Sequence, residues 1–180
     1  MTIASDMINE MRHEAQTTRR FLNEIPESRL TWRPHEKSHT LGTLAMHIAT
    51  IPANVSAMGS MDDAPLPDMD AAFRRPAGKQ EILDAFENSL CEAVRTLEGI
   101  DDARMRATFR IVAGGRVLLT LPRLDFYRSI LLNHLYHHRG QLGVYLRLVG
   151  AKVPSAYGPS GDEMPPGMES THNELHASHA

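Results

Sequence analysis

Residues 134–150 read HLYHHRGQLGVYLRLVG, three histidines crowding the start of a strongly apolar helical pattern. Stepping about 100° per residue from Leu131, the side chains of Leu124, Tyr127, Leu135, His138, Leu142, Tyr145 and Val149 fall within about 40° of one direction. That places His138 on the stripe expected to be buried and His134 near its edge at about −60°, with His137 at about −120° and Arg139 at about +80°. His137 therefore reads as a spectator. A core imidazole is either a hydrogen-bonded packing residue or a ligand. Four residues apart on one helical face, His134 and His138 have the spacing to grip a single ion. Leu135 stands where the glutamate of HExxH would be, which excludes a zincin protease. The pair needs a third ligand.

Working outward, the histidine helix starts near Pro122 and runs to Gly150, about 28 residues or about 42 Å if continuous. Ile3, Met7, Met11, Phe21 and Ile25 give a first helix over 3–24, ended by Pro26, with Glu14 and Thr18 on its apolar face. A carboxylate there is either salt-bridged or turned toward something polar inside, such as a histidine. The linker PESRLTWRPHEKSHT leads to an N-cap at Ser38 or Thr40. A second helix follows to about residue 58, with Leu44, Ile48, Ile51, Val55 and Met58 inward and Pro52 expected to kink or interrupt it. His47 sits about 60° from Leu44, at the edge of that stripe.

Residues 59–78, GSMDDAPLPDMDAAFRRPAG, have the prolines and aspartates of a loop. A third helix spans 79–98, with Ile82, Phe86, Leu90, Ala93 and Leu97 inward and Gly99 as its cap. Two β-prone runs around Gly114 and Gly115 suggest a short hairpin before the last helix. The expected fold class is all-α, a four-helix bundle with long connections over 1–160, followed by a flexible tail over 161–180. His172, His176 and His179 in that tail are read as nonspecific metal scavengers.

The 180 residues suffice for one domain, and 42% hydrophobic composition supports a sizeable core. A net charge of −3 and 6% aromatic content give no footprint for nucleic acid. No basic-then-apolar leader and no run of about 18 apolar residues are present, so no membrane partner is expected and the cytoplasm is the expected compartment. Cys91 is the single cysteine, so any metal site must be built from nitrogen and oxygen ligands. It reads as an inert packing residue of the third helix.

The stretch HHRGQLGVYLRLVGAKVPSAYGPS, overlapping HxxxH, resembles the last-helix signature of the DinB and YfiT family of metal-dependent bundle proteins. Upstream, IPESRLTWRPHEKSHTLGTLAMHIA resembles that family's first crossover and histidine-bearing second helix, so the likeness covers roughly residues 5–160. The resemblance implies a divalent metal ion held by His47, His134 and His138. Zinc or nickel is favoured, with iron and manganese as alternatives. It also implies a homodimer and an activity of the low-molecular-weight thiol S-transferase or hydrolase type. Glu14, His137, Arg139 and Tyr145 are the candidate catalytic groups. The alternative is a non-catalytic metal-binding stress-response module.

Overall fold

The computed structural model describes residues 2–165 and 168. Helix α1 spans Ile3–Asn23, opened by a reciprocal cap in which the Thr2 hydroxyl accepts from the Ser5 amide at 3.1 Å and the Ser5 hydroxyl from the Thr2 amide at 2.9 Å. Its apolar stripe of Met7, Met11, Ala15 and Leu22 is buried. After a 3-10 turn over Glu27–Arg29, the crossover is pinned to the next helix by the Leu41 and Gly42 amides, which donate to the Trp32 and Leu30 carbonyls. Helix α2 spans Leu41–Ser60, and Thr40 is its N-cap, accepting from the Thr43 amide at 3.2 Å.

Pro52 does not break α2. It removes one amide from the helix, and the Ala53 amide donates to the Ser89 hydroxyl across the packing interface with helix α4, Lys79–Glu98, at 2.8 Å. The foreign acceptor lets the helix continue past the proline to Ser60.

The loop expected at 59–78 contains a strand, β1 (Asp63–Pro65), and a single helical turn, α3 (Met69–Ala72). After the short helix α5 (Asp102–Arg106), the expected hairpin is present as β2 (Thr108–Ala113) and β3 (Arg116–Pro122). It turns on Gly114 and Gly115 at φ 55° and 75°, conformations that favour glycine. Strand β1 joins β2 in parallel, giving a three-stranded sheet in the order β1-β2-β3. The all-α expectation is therefore corrected: the chain is mostly helical with a small sheet. Three residues of β1 within a Pro- and Asp-rich loop carry no readable alternation, because their pairing comes from β2 far along the chain.

Helical backbone resumes at α6 (Arg123–Phe126), widens into a π-helical stretch over Tyr127–Asn133 and tightens into α7 (His134–Leu148). Two features seat this run against α2. The fully buried Arg123 guanidinium donates to the Gly59 and Met61 carbonyls at the end of α2, to the Arg104 carbonyl of α5, all at 2.5–2.8 Å, and to Asp62 at 2.6 Å. The buried Tyr127 ring fits where Gly59 has no side chain, and its hydroxyl donates to the Ser56 carbonyl at 3.1 Å.

The buried stripe of α7 is Leu135, Arg139, Leu142 and Leu146, so the core direction is turned toward Arg139 and away from His138, which is half-buried. A count of apolar positions assigns arginine to solvent and cannot anticipate this. Cys91, read as packing, is exposed. Beyond the helix, Asp162 pairs with Arg147 at 2.8 Å and Glu163 pairs with Arg20. Residues 166, 167 and 169–180, including the tail histidines, lie outside the described residues. Among the described residues no helix is long and apolar enough to cross a membrane.

A Cβ on Gly59 would lie 2.5 Å from the Tyr127 ring, which is itself fully buried. Gly59→Ala is expected to destabilise the fold by about 1–3 kcal/mol, read from urea unfolding midpoints.

Candidate metal centre

His47 projects from α2, and His134 and His138 from the first two turns of α7. One ring nitrogen from each lies within 4.8 Å of the other two, so the three form a group that can hold a metal ion. Tetrahedral ligands about 2.0–2.1 Å from zinc sit about 3.4 Å apart, inside that limit.

The tautomers are set by neighbours. His47 Nδ1 lies 2.9 Å from the Ala72 carbonyl, which only accepts, so Nδ1 carries the proton and Nε2 the lone pair. That Nε2 is buried and has no hydrogen-bond partner. His138 Nδ1 lies 2.7 Å from Gln141 Oε1, while the Gln141 amide nitrogen donates to His137 Nε2 at 3.0 Å. With the Gln141 amide so oriented, His138 Nδ1 is the donor and its Nε2 is the free lone pair. His134 Nε2 then donates to His138 Nε2 at 2.7 Å. This leaves His134 Nδ1 buried without a well-formed hydrogen bond, with the Ile130 carbonyl acting on it from one turn back. Two imidazole lone pairs thus look inward, and a third becomes available if His134 moves its proton to Nδ1.

Burial is the main reason these rings stay neutral. It pushes His47 down from 6.5 to about 4, against the opposing Ala72 hydrogen bond and with help from nearby His138, His134 and His39. It pushes His138 to about 4 as well, opposed by Gln141 and reinforced by His134, His137 and His39. His134 is lowered by burial in the same way. Neutral imidazole is the ligating form.

Phe73 closes one side of the site. Its ring stacks on His47 with centroids 4.0 Å apart and on His39 at 3.7 Å, a sandwich that fixes the His47 plane. Neither Phe73, Ala72 nor His39 stood out in the sequence reading. The one available signal was a lone aromatic residue in an otherwise polar loop. A cleft of about 490 Å³ opens beside the histidines, bounded by His47 and His134, the face of α2 from Thr50 to Met58, Ile130 and the segment from Pro67 to Arg74.

The candidate catalytic groups are dispersed. Glu14, 8% exposed, pairs with Arg139, 2% exposed, at 2.7 Å, and accepts the Tyr157 hydroxyl at 2.9 Å. Arg139 also donates to the Glu14 carbonyl, the Thr18 hydroxyl and the Tyr157 hydroxyl, so both charges are fully occupied with each other. Of the two sequence readings of Glu14, the salt bridge is the one present. Tyr157 folds onto this pair. Tyr145 packs edge-on against Trp32 and donates to the His39 carbonyl at 3.4 Å. His137 contacts the His138 ring edge-on, with centroids 5.0 Å apart, and accepts from Gln141, but it makes no direct hydrogen bond to the three histidines.

The fold matches solved structures of related design. A DinB-like protein from Bacillus cereus ATCC 10987 superposes with a TM-score of 0.68 at 23% identity, over 87% of this chain and 98% of that one. The DinB-like protein YjoA from Bacillus subtilis gives 0.66 at 18% identity, over 84% and 96%. By sequence, the uncharacterized protein YrdA of Bacillus subtilis (strain 168) is 28% identical over 156 residues, 83% of this chain and 85% of that protein. A model of the DinB family matches residues 129–170, and a model of the DinB superfamily matches residues 10–142, which takes in all three clustered histidines. The chain belongs to the DinB superfamily.

Proposed function

We propose that His47, His134 and His138 hold one divalent metal ion through their Nε2 atoms, zinc or nickel by preference, and that the protein is a metal-dependent enzyme of the thiol S-transferase or hydrolase type. The observation that carries the metal assignment is the buried, unpartnered Nε2 of His47, aimed into a site where two other Nε2 atoms lie 2.7 Å apart. A buried acceptor without a donor costs free energy unless something outside the chain satisfies it. Three neutral nitrogen ligands suit zinc and nickel, and three protein ligands leave coordination positions for a thiol, water or substrate.

When bound, such an ion lowers the pKa of a coordinated thiol or water and so supplies a nucleophile at neutral pH. The chain's own part is to hold and shield. Ala72 and Gln141 fix the protons of His47 and His138 on Nδ1, an outer contact that orients a ligand ring and increases its basicity. Phe73 covers His47 from the side of His39, limiting access from that direction. The helices α1, α2, α4 and the α6–α7 run compose the four-helix bundle of this reading, and the exposed Val144 and Leu148 beside Gly140 on α7 support pairing of two chains.

The second reading, a non-catalytic metal-binding module, is favoured by one observation. No candidate acid or base is directly bonded to the three histidines: Glu14 and Arg139 neutralise each other and His137 is one amide removed.

With His172, His176 and His179 replaced by glutamine, the protein as purified should carry about one ion per chain by elemental analysis, and the further change His47→Ala plus His134→Ala should abolish it. Metal retained by that variant would defeat the assignment. Glu14→Gln should cost about 3–5 kcal/mol of stability by leaving the Arg139 charge buried without its partner. The same variant should keep its metal, whereas loss of metal would make Glu14 part of the site.

For the metal-free chain the pH dependence follows from the lowered pKa values. Between about 4 and 6.5 the unfolded state binds protons that folded His47 and His138 refuse. Stability is therefore full above pH 6.5 and falls as the pH drops from 6.5 toward 4. Urea midpoints measured in chelator should show that decline in the wild type, and a shallower one in His47→Asn.

A further inference from the structure

The wall that α2 contributes to the cleft is a single helical face: His47, Thr50, Ile51, Asn54, Val55 and Met58. These are positions i, i+3, i+4, i+7, i+8 and i+11, so the cleft runs from His47 along about three turns, or about 16 Å. Facing it are two large apolar side chains left open to solvent, Ile130 at 37% and Met69 at 59% exposure. A volume of about 490 Å³ falls within the range of small-molecule sites.

The polar groups along this wall are mostly committed. Thr50 donates back to the Met46 carbonyl at 3.0 Å, the Asp68 carboxylate caps α3 through the Asp70 and Ala71 amides, and Arg74 is paired with Glu81 at 2.5 Å. Apart from the histidines, Asn54 alone among the polar lining side chains has no partner among the described residues. It lies two turns from His47, about 10 Å along the helix. The cleft therefore offers apolar walls, one neutral hydrogen-bonding group at a fixed distance from the histidines, and no uncommitted cation.

We propose that the cleft selects a ligand made of a metal-binding head group and a neutral, unbranched apolar chain of about six to eight carbons lying over Ile51 and Val55. A neutral polar end group is accommodated at Asn54. A chain ending in a carboxylate or phosphate is disfavoured, since Arg74 is already paired and Asp68 adds a like charge to the same wall. The head group rests on the metal assignment; the chain selectivity rests on the cleft walls alone.

The test uses the full chain loaded with cobalt(II) and a series of n-alkanethiols from ethane to decane, followed by calorimetry and by the thiolate-to-cobalt absorption band. The dissociation constant should fall about three- to fourfold per methylene and level off near eight carbons. A thiol of equal length ending in a carboxylate should bind at least about tenfold more weakly. Ile130→Glu, at a position already open to solvent, should flatten the series without changing the metal content. Metal-free protein titrated with n-alkanols should show the same dependence on length. A thiolate band with no dependence on chain length would overturn the selectivity while sparing the metal site. Length dependence with alkanols but no band with any thiol would overturn the metal-bound head group and leave the apolar chain standing.

Discussion

Two imidazole nitrogens held 2.7 Å apart in a half-buried site share at most one proton between them, and the rest of the centre follows from that constraint. Charging either ring would set like charges against each other away from water, and burial already pushes His47 and His138 down to about 4. With His138 committed to Gln141 and His47 to Ala72, the only freedom left is the tautomer of His134. His134 spends its proton on His138, and its own Nδ1 is left buried without a well-formed hydrogen bond. A cation placed among the three rings would remove the conflict by accepting all three lone pairs.

Holding rings from two helices at such distances requires the helices themselves to be located firmly. Gly59 lets Tyr127 sit against α2, and Arg123 ties the end of α2 to the start of the last helical run. Between these anchors and His134 lies the π-helical stretch 127–133, a form seen mostly as short bulges and often at functional sites. One turn beyond His134, the buried pair of Arg139 and Glu14 joins α7 to α1. Such a pair is costly to desolvate and adds little net stability. Its geometric effect is to fix the rotation of α7, and with it the direction of His138 on the neighbouring position.

The long helices and their caps were legible because they are local: Thr40, Gly99 and the 3.6-residue spacing in Met7, Met11, Ile82 and Phe86 are all read within a few residues. The histidine triplet was legible in part by angle, since His47 and His134 each lie at a stripe edge, and in part by resemblance. What escaped reading depends on distant partners. Strand β1 exists because β2 pairs with it from over forty residues away, Pro52 is harmless because Ser89 supplies an acceptor, and Arg139 is buried because Glu14 waits on another helix. Phe73 and Ala72 belong to the same class. Their roles arise only when a polar-looking loop folds back over α2.

The proposed centre requires three Nε2 atoms, and not the tail histidines, to hold a metal with positions left open toward the cleft. Anomalous diffraction from a crystal of the 180-residue chain grown without added metal tests this in one experiment, because scanning absorption edges identifies the ion and the map locates it. A single peak is expected about 2.0–2.2 Å from Nε2 of His47, His134 and His138, with fewer protein ligands than the ion's coordination number. No peak there, or a peak confined to His172, His176 or His179, would contradict it.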